Sequence, residues 1–223
     1  MSFEKDKYTL IKGLLNKDSC KYLTDSLKLA IANKQTTQDE QCPNSEAVYG
    51  HQDFDKLLED LLPIFEEASG KKLYPTYSYA RLYKTGEELK VHQDRPSCEI
   101  SATVTLGIEG NPWAIYMGDL EDKSNASELY MNIGDAVLYC GMEKYHWREK
   151  FEGKWQAQVF LHYVDAEGLH AEWKYDKRHV LSHHQTNIDF PTFVYLPGYF
   201  DPTYCDQIIK EYKVKSILNK NLT

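Results

Sequence analysis

The chain is poor in paired cysteines, in long apolar runs and in positive charge. Its 223 residues hold five cysteines, at positions 20, 42, 98, 140 and 205, widely spaced and without a C-x-x-C pair. A disulfide framework or a thiolate zinc site is therefore not expected; free thiols in a reducing compartment are. No stretch approaches the roughly 18 apolar residues of a membrane span. The opening residues, Met1-Ser2-Phe3-Glu4-Lys5-Asp6-Lys7, lack the apolar run of a signal peptide. The expected location is cytoplasmic, with no membrane partner. Lysine and arginine number 26 against 34 acidic residues, a formal net charge of -8. An acidic chain is a poor electrostatic partner for phosphate backbones, so nucleic acid is not an expected partner.

Tyrosine is abundant, with 17 copies against 8 phenylalanines, and it favours half-buried strands. Residues 7–15 read as a short strand and turn. Residues 20–31 read as an amphipathic helix, with Asn16 to Asp18 offering caps. Residues 33–50 read as a polar loop. A second helix follows, capped by Asp53, with Leu57, Leu58, Leu61, Leu62, Ile64 and Phe65 on its apolar face. Gly70 ends it, and Pro63 kinks or splits it. From residue 73 the period changes to two, and about eight short strands separated by turns run to residue 165. This order predicts an α+β, mainly β fold: a sandwich or jelly roll with the N-terminal helices packed on one sheet.

Within the strand series stands His92-Gln93-Asp94. Side chains on an extended segment alternate, so the imidazole and the carboxylate share a side. A second imidazole from a distant strand, for which His146 is the candidate, would complete a 2-His-1-carboxylate face that holds Fe(II) and leaves positions open. His162 lies deep in a strand and reads as a core histidine. His183 and His184 are adjacent and would diverge on a strand, so they read as exposed loop.

Several ordered segments carry a family resemblance. Arg81-Leu82-Tyr83-Lys84-Thr85-Gly86, His92-x-Asp94, Gly134-Asp135-Ala136-Val137-Leu138-Tyr139, His146 and Gly153-Lys154-Trp155 follow one another as in the 2-oxoglutarate- and Fe(II)-dependent dioxygenases. Residues 79–164 resemble the prolyl 4-hydroxylase-like branch in particular. The resemblance implies a double-stranded β-helix (jelly roll) core at about 73–165. It implies metal ligands His92, Asp94 and His146, with Fe(II) and 2-oxoglutarate as cofactor and co-substrate, O2 as reactant and allowance for ascorbate. It also implies hydroxylation of a C–H bond, of a prolyl or other amino-acid residue in a protein or peptide, with release of succinate and CO2. The alternatives are a free amino acid or small metabolite as substrate, or a cupin-like metal-binding module without oxygenase activity. The distal carboxylate of 2-oxoglutarate needs a cation. Lys154 matches by motif; Arg148 competes, because it lies two residues beyond His146 and so faces the same way on a strand. Tyr83 is a further candidate contact to the co-substrate. Arg95 either points to the active-site mouth or is a surface charge, and Trp113, Tyr116 and Trp147 read as core or wall. Loops at 33–50, 95–99 and 119–128 are expected to frame the mouth.

Residues 1–178 are expected to form the domain and 179–223 an extension. Segments 8–28 and 193–213 align without a gap, matching Gly13 with Gly198, Cys20 with Cys205 and Lys28 with Lys213. Both read as strand, turn and capped helix. The extension thus resembles the opening of the domain, with residues 176–190 as a linker.

Overall fold

The computed structural model of the chain describes residues 2–37 and 41–185. The repeat-like segment at 193–213 lies outside the described residues.

The helices form early and for local reasons. A short α1 (Phe3–Asp6) leads into β1 (Tyr8–Ile11). In α2 (Lys17–Ala32) the Asn16 side chain accepts a hydrogen bond from the Ser19 amide at 2.8 Å, and Cys20, Leu23, Leu27 and Ala30 recur on one buried face. The second helical segment is two helices, α3 (Gln52–Asp60) and α4 (Leu62–Ser69), meeting at Leu61. Pro63 falls in the first turn of α4, where its missing N–H costs nothing. Gly70 closes α4 in a left-handed conformation. The cap of α3 is His51, two residues before the expected Asp53. Asp53 lies inside the first turn and accepts the Ser26 hydroxyl from α2 instead. The expected loop at 33–50 contains a strand, β2 (Glu46–Tyr49). Its partner β3 lies beyond both helices, so no local pattern marked it.

The remaining strands are β3 (Leu73–Lys84), β4 (Leu89–His92), β5 (Ile100–Glu109), β6 (Ile115–Gly118), β7 (Ser127–Leu129), β8 (Ala136–Cys140), β9 (Tyr145–Arg148) and β10 (Trp155–Asp165). They make two antiparallel sheets, one ordered β1-β8-β5-β10-β3-β2 and one ordered β4-β9-β6-β7. Strand β10 is buried almost end to end, because both faces of the large sheet are covered. One face carries Ala102, Val104, Leu106, Ala157, Val159 and Leu161, which pack with Leu23 and Leu27 of α2, Phe54 and Leu58 of α3 and Phe65 of α4. The opposite face is polar and aromatic: Tyr77, Tyr79, Arg81 and Tyr83 of β3, Ser101, Thr103 and Thr105 of β5, and Gln156, Gln158, Phe160 and His162 of β10. Register aligns Phe160 with Tyr79 and Gln158 with Arg81. The small sheet closes over part of this face, Ile115, Met117 and Leu129 packing with Tyr8, Val137 and Tyr139. The helices therefore sit on one sheet, as expected, and the interior between the sheets holds the polar residues.

The turn Gly134-Asp135 ties the first strand in place. The Asp135 carboxylate accepts the Gly13 amide at 2.8 Å, and Gly134 has a positive φ and lies against the Leu15 carbonyl. After β10, 3-10 turns at Ala171–Lys177 and Ser182–His184 lie back on β3 and α3. Leu181 is fully buried. Arg178 pairs with the buried Asp55 at 3.0 Å and donates to the Thr76 carbonyl at 3.1 Å, while the Ser182 amide donates to Asp55 at 2.9 Å. Residues 176–185 are thus a packed strap rather than a linker, because Asp55 supplies a buried acceptor that no pattern in the strap itself reveals. Cys20, Cys98 and Cys140 are free and buried, and Cys42 is buried. Among the described residues no helix is long and apolar enough to cross a membrane.

Candidate metal centre

Strand pairing, more than sequence proximity, assembles the site. His92 at the end of β4 is paired in register with His146 of β9, and the two rings stand 4.2 Å apart. Asp94 lies beyond the end of β4, held by its amide donating to the Gly141 carbonyl at 2.8 Å. A side chain at Gly141 would collide with the Asp94 carboxylate, so glycine is required for the approach. The Asp94 Oδ1 atom is 3.6 Å from His92 Nε2 and 3.5 Å from His146 Nε2. Cis donors about 2.1 Å from one ion stand about 3 Å apart, so a small inward adjustment completes a trigonal face.

The backbone fixes which nitrogens face inward. His92 Nδ1 donates to the Lys90 carbonyl at 2.8 Å, and His146 Nδ1 donates to the Lys144 carbonyl at 3.0 Å. A carbonyl only accepts, so each Nδ1 carries the hydrogen and each Nε2 lone pair is directed at the common point. Burial alone would raise the Asp94 carboxyl; the imidazoles of His146, His162 and His92 outweigh it and hold the group well below the usual carboxylate range. Burial, with His146 beside it, lowers His92, which favours the neutral ring that a metal needs. For His146, burial pulls downward and Asp94 pulls upward, and Asp94 prevails. Behind the carboxylate, Ser101 Oγ donates to Asp94 Oδ2 at 3.1 Å and stands 2.8 Å from His162 Nδ1. His162 is buried, and burial pushes it down to about 4.

These groups open on a cavity of about 470 Å³. Tyr77, Tyr79, Phe160, His162, Cys98 and Tyr139 line its walls, with Arg81, Leu89, Gln93, Arg95 and Gln41. Burial pushes the Cys98 thiol up to about 12, so it is a neutral wall group. Arg95 does reach the mouth, its guanidinium lying over the Tyr77 ring and pairing with Asp176 of the strap at 3.0 Å. Of the three expected mouth loops, 33–50 contributes Gln41 and 95–99 contributes Arg95 and Cys98. Loop 119–128 contributes nothing to this cavity. It flanks the stack of half-buried Tyr116 on buried Trp147 on the small sheet.

The two candidate cations separate clearly. Lys154 is outside the cavity: its side chain is 73% exposed and its ammonium pairs with Glu109 at 3.0 Å. It precedes the first residue of β10, too early to enter between the sheets. Arg148 is buried between the sheets, 1% exposed, on the same face of β9 as His146, although the cavity as lined does not reach it. One guanidinium nitrogen donates to the Trp113 carbonyl at 2.8 Å, while Nε and Nη2 are buried without a hydrogen-bond partner. Burial lowers it to about 10. Tyr83 is fully buried, edge-on to Trp113, and its hydroxyl accepts from Arg81 Nη1 at 2.8 Å. Arg81 itself lines the cavity. Its alternation with Tyr77, Tyr79 and Tyr83 was the one sequence signal that could have marked it.

No family model matches the chain, and no curated protein matches it. Solved structures do. A prolyl-4-hydroxylase of Pseudomonas putida is 14% identical, over 73% of this chain and 95% of that one, with a TM-score of 0.58. HygX of Streptomyces hygroscopicus, solved with nickel and 2-oxoglutarate, is 13% identical over 74% and 85%, with a TM-score of 0.59. The α-ketoglutarate-dependent epimerase SnoN of nogalamycin biosynthesis is 12% identical over 74% and 78%, with a TM-score of 0.62. The chain therefore has the fold of the 2-oxoglutarate-dependent oxygenases, prolyl hydroxylases among them.

Proposed function

We propose that this chain is an Fe(II)- and 2-oxoglutarate-dependent dioxygenase of prolyl 4-hydroxylase-like type. It hydroxylates a C–H bond of a prolyl or other amino-acid residue and releases succinate and CO2. The observation that carries the reading is the convergence of His92 Nε2, His146 Nε2 and Asp94 Oδ1, with both Nδ1 atoms tied to backbone carbonyls. On this reading the two sheets are a double-stranded β-helix, residues 1–178 are the catalytic domain with its core at about 73–165 and the strap to residue 185 packed on it, and the enzyme is cytoplasmic, Cys20, Cys98 and Cys140 being buried free thiols.

His92, Asp94 and His146 hold the ferrous ion. Arg148 holds the distal carboxylate of 2-oxoglutarate, because a buried guanidinium with two unpartnered nitrogens calls for an anion. Tyr83 and Arg81 form the wall beside it. Bound there, iron and 2-oxoglutarate supply the activation of O2 that a protein side chain cannot. The chain's own residues do the rest. Ser101 aims the carboxylate, the aromatic wall of Tyr77, Tyr79 and Phe160 excludes water, and Arg95 borders the entrance. A cavity of about 470 Å³ that also admits the co-substrate has room for one residue-sized group. That suits a side chain presented by a peptide, or a small metabolite of similar size.

The test is anaerobic titration of the chain with Fe(II) and 2-oxoglutarate. The visible charge-transfer band of the chelate is expected, as is slow succinate release once O2 is admitted. Both should vanish in His92→Ala and Asp94→Ala. A band that persists unchanged in both variants refutes the ligand set, and its absence from the parent chain refutes the activity. Peptide and metabolite libraries read by mass spectrometry for the gain of one oxygen atom then identify the substrate.

A further inference from the structure

Outside the cavity, a second cluster brings metal-ligating groups together. The 3-10 turn Ser182–His184 folds two adjacent histidines onto the end of α3, and both present the same atom to the same oxygen. His183 Nε2 is 2.8 Å and His184 Nε2 2.7 Å from Glu59 Oε2, and the two rings stand 4.0 Å apart. Adjacent residues on a strand would diverge; the tight turn makes them converge.

We propose that Glu59, His183 and His184 form a second divalent-cation site, of zinc type, that fastens the strap at 176–185 to α3. The donor chemistry selects the ion class. Two imidazoles and one carboxylate, without thiolate, suit Zn²⁺ with water in the fourth place, whereas Mg²⁺ and Ca²⁺ prefer oxygen throughout. The geometry needs little change. Donors about 2.1 Å from a tetrahedral ion stand roughly 3.3 Å apart, about half an ångström wider than they do now. The Glu59 and His184 side chains, 37% and 50% exposed, have the freedom to open, while His183 at 14% is anchored.

The surroundings favour a cation as well. Glu59 sits in the last turn of α3, where the helix carries partial negative charge, and that turn has no basic residue. A carboxylate there gains from an adjacent positive ion. The backbone leading into the histidine pair is already fixed by buried Leu181, by Ser182 on Asp55 and by the Arg178–Asp55 pair, so little ordering remains to oppose binding. The same strap carries Asp176, which holds Arg95 beside the ligand Asp94. A cation at Glu59 therefore steadies, through the strap, one border of the cavity mouth.

The first site also takes zinc, so the test removes it. Metal-stripped full-length chain carrying His92→Ala and His146→Ala is dialysed against zinc and its metal content measured. One equivalent is expected. Adding Glu59→Gln, or His183→Ala with His184→Ala, should abolish it without altering the circular dichroism spectrum. In the parent chain the same changes should lower the content from two equivalents to one, which serves if the double-alanine background does not fold. Tryptic cleavage after Arg178 should slow at least several-fold with zinc, and not in Glu59→Gln. No zinc on the double-alanine chain while the parent retains one equivalent overturns this proposal and leaves the first site standing. Full zinc content in both Glu59→Gln and the His183/His184 variant overturns it too. Zinc lost only on changing His92 and His146 would assign all binding to the first site.

Discussion

Ser101 decides how firmly Asp94 is aimed, since its hydroxyl is the side-chain donor on the carboxylate oxygen that faces away from the two imidazoles. Ser101→Ala should lower Fe(II) affinity on the order of 10-fold or more, the usual effect of removing a group that orients a ligand, with the fold intact by circular dichroism. Gly141→Ala should be harsher, because the new methyl group occupies the space of the Asp94 carboxylate; iron binding should fall below detection. At the anion end, Arg148→Lys should raise the KM for 2-oxoglutarate by roughly 10-fold or more, because one ammonium cannot replace a forked donor. Lys154→Ala should leave that KM unchanged. A rise with Lys154→Ala equal to that with Arg148→Lys would return the role to the lysine. At this scale the sequence was informative wherever chemistry follows parity. His92 and Asp94 share a side, and Arg148 faces as His146 does. At Lys154 the motif match counted residues without counting where β10 begins, and the side chain lies outside the cavity on Glu109. The sequence marked His162 as a core histidine, and the ring is buried; it was silent on Ser101, whose partners Asp94 and His162 lie on other segments.

Among the elements, the division between α3 and α4 and the packing of the strap show two kinds of legibility. Pro63 signalled a break because its ring acts locally, whatever the tertiary context. The strap gave no such sign: its charged, histidine-rich composition is that of a linker, and only the buried Asp55 beneath it makes those charges structural. Burial would raise the Asp55 carboxyl, but the Ser182 amide, the Ser78 hydroxyl and Arg178 together hold it down. Arg178→Leu strands that charge, and chemical denaturation should show a loss of about 3 kcal/mol at most, since Arg178 is itself partly in solvent. Asp55→Asn in the same background should recover part of it. A loss below about half a kcal/mol would show that the Arg178–Asp55 pair contributes nothing to the stability of the domain. Strand β2 was missed for a related reason, its strand partner among the described residues being β3 on the far side of two helices.

For the molecule as a whole, the interior between the sheets sets how stability responds to acid. His162 is buried and lowered to about 4, against an ordinary value near 6.5. Between those values the unfolded chain binds a proton that the folded chain refuses, so stability falls as pH drops from 6.5 towards 4 and this group adds no further loss below that. The contribution is up to about 3 kcal/mol. His92 acts in the same sense and His146 in the opposite one, while Asp94 adds its loss only at more acidic pH. In metal-free protein, urea midpoints should therefore decline from pH 7 to pH 5, and His162→Gln should flatten the decline. An unchanged slope in that variant would place the acid sensitivity elsewhere. A different consequence follows from β1, whose sheet partner is β8, more than half the chain away. On a ribosome the helices that cover the large sheet emerge long before the sheet exists, and β1 waits, unpaired, until residue 140 has been synthesised. A nascent chain arrested before that point exposes an open edge and an uncovered apolar helix face, the state in which this protein most needs a chaperone.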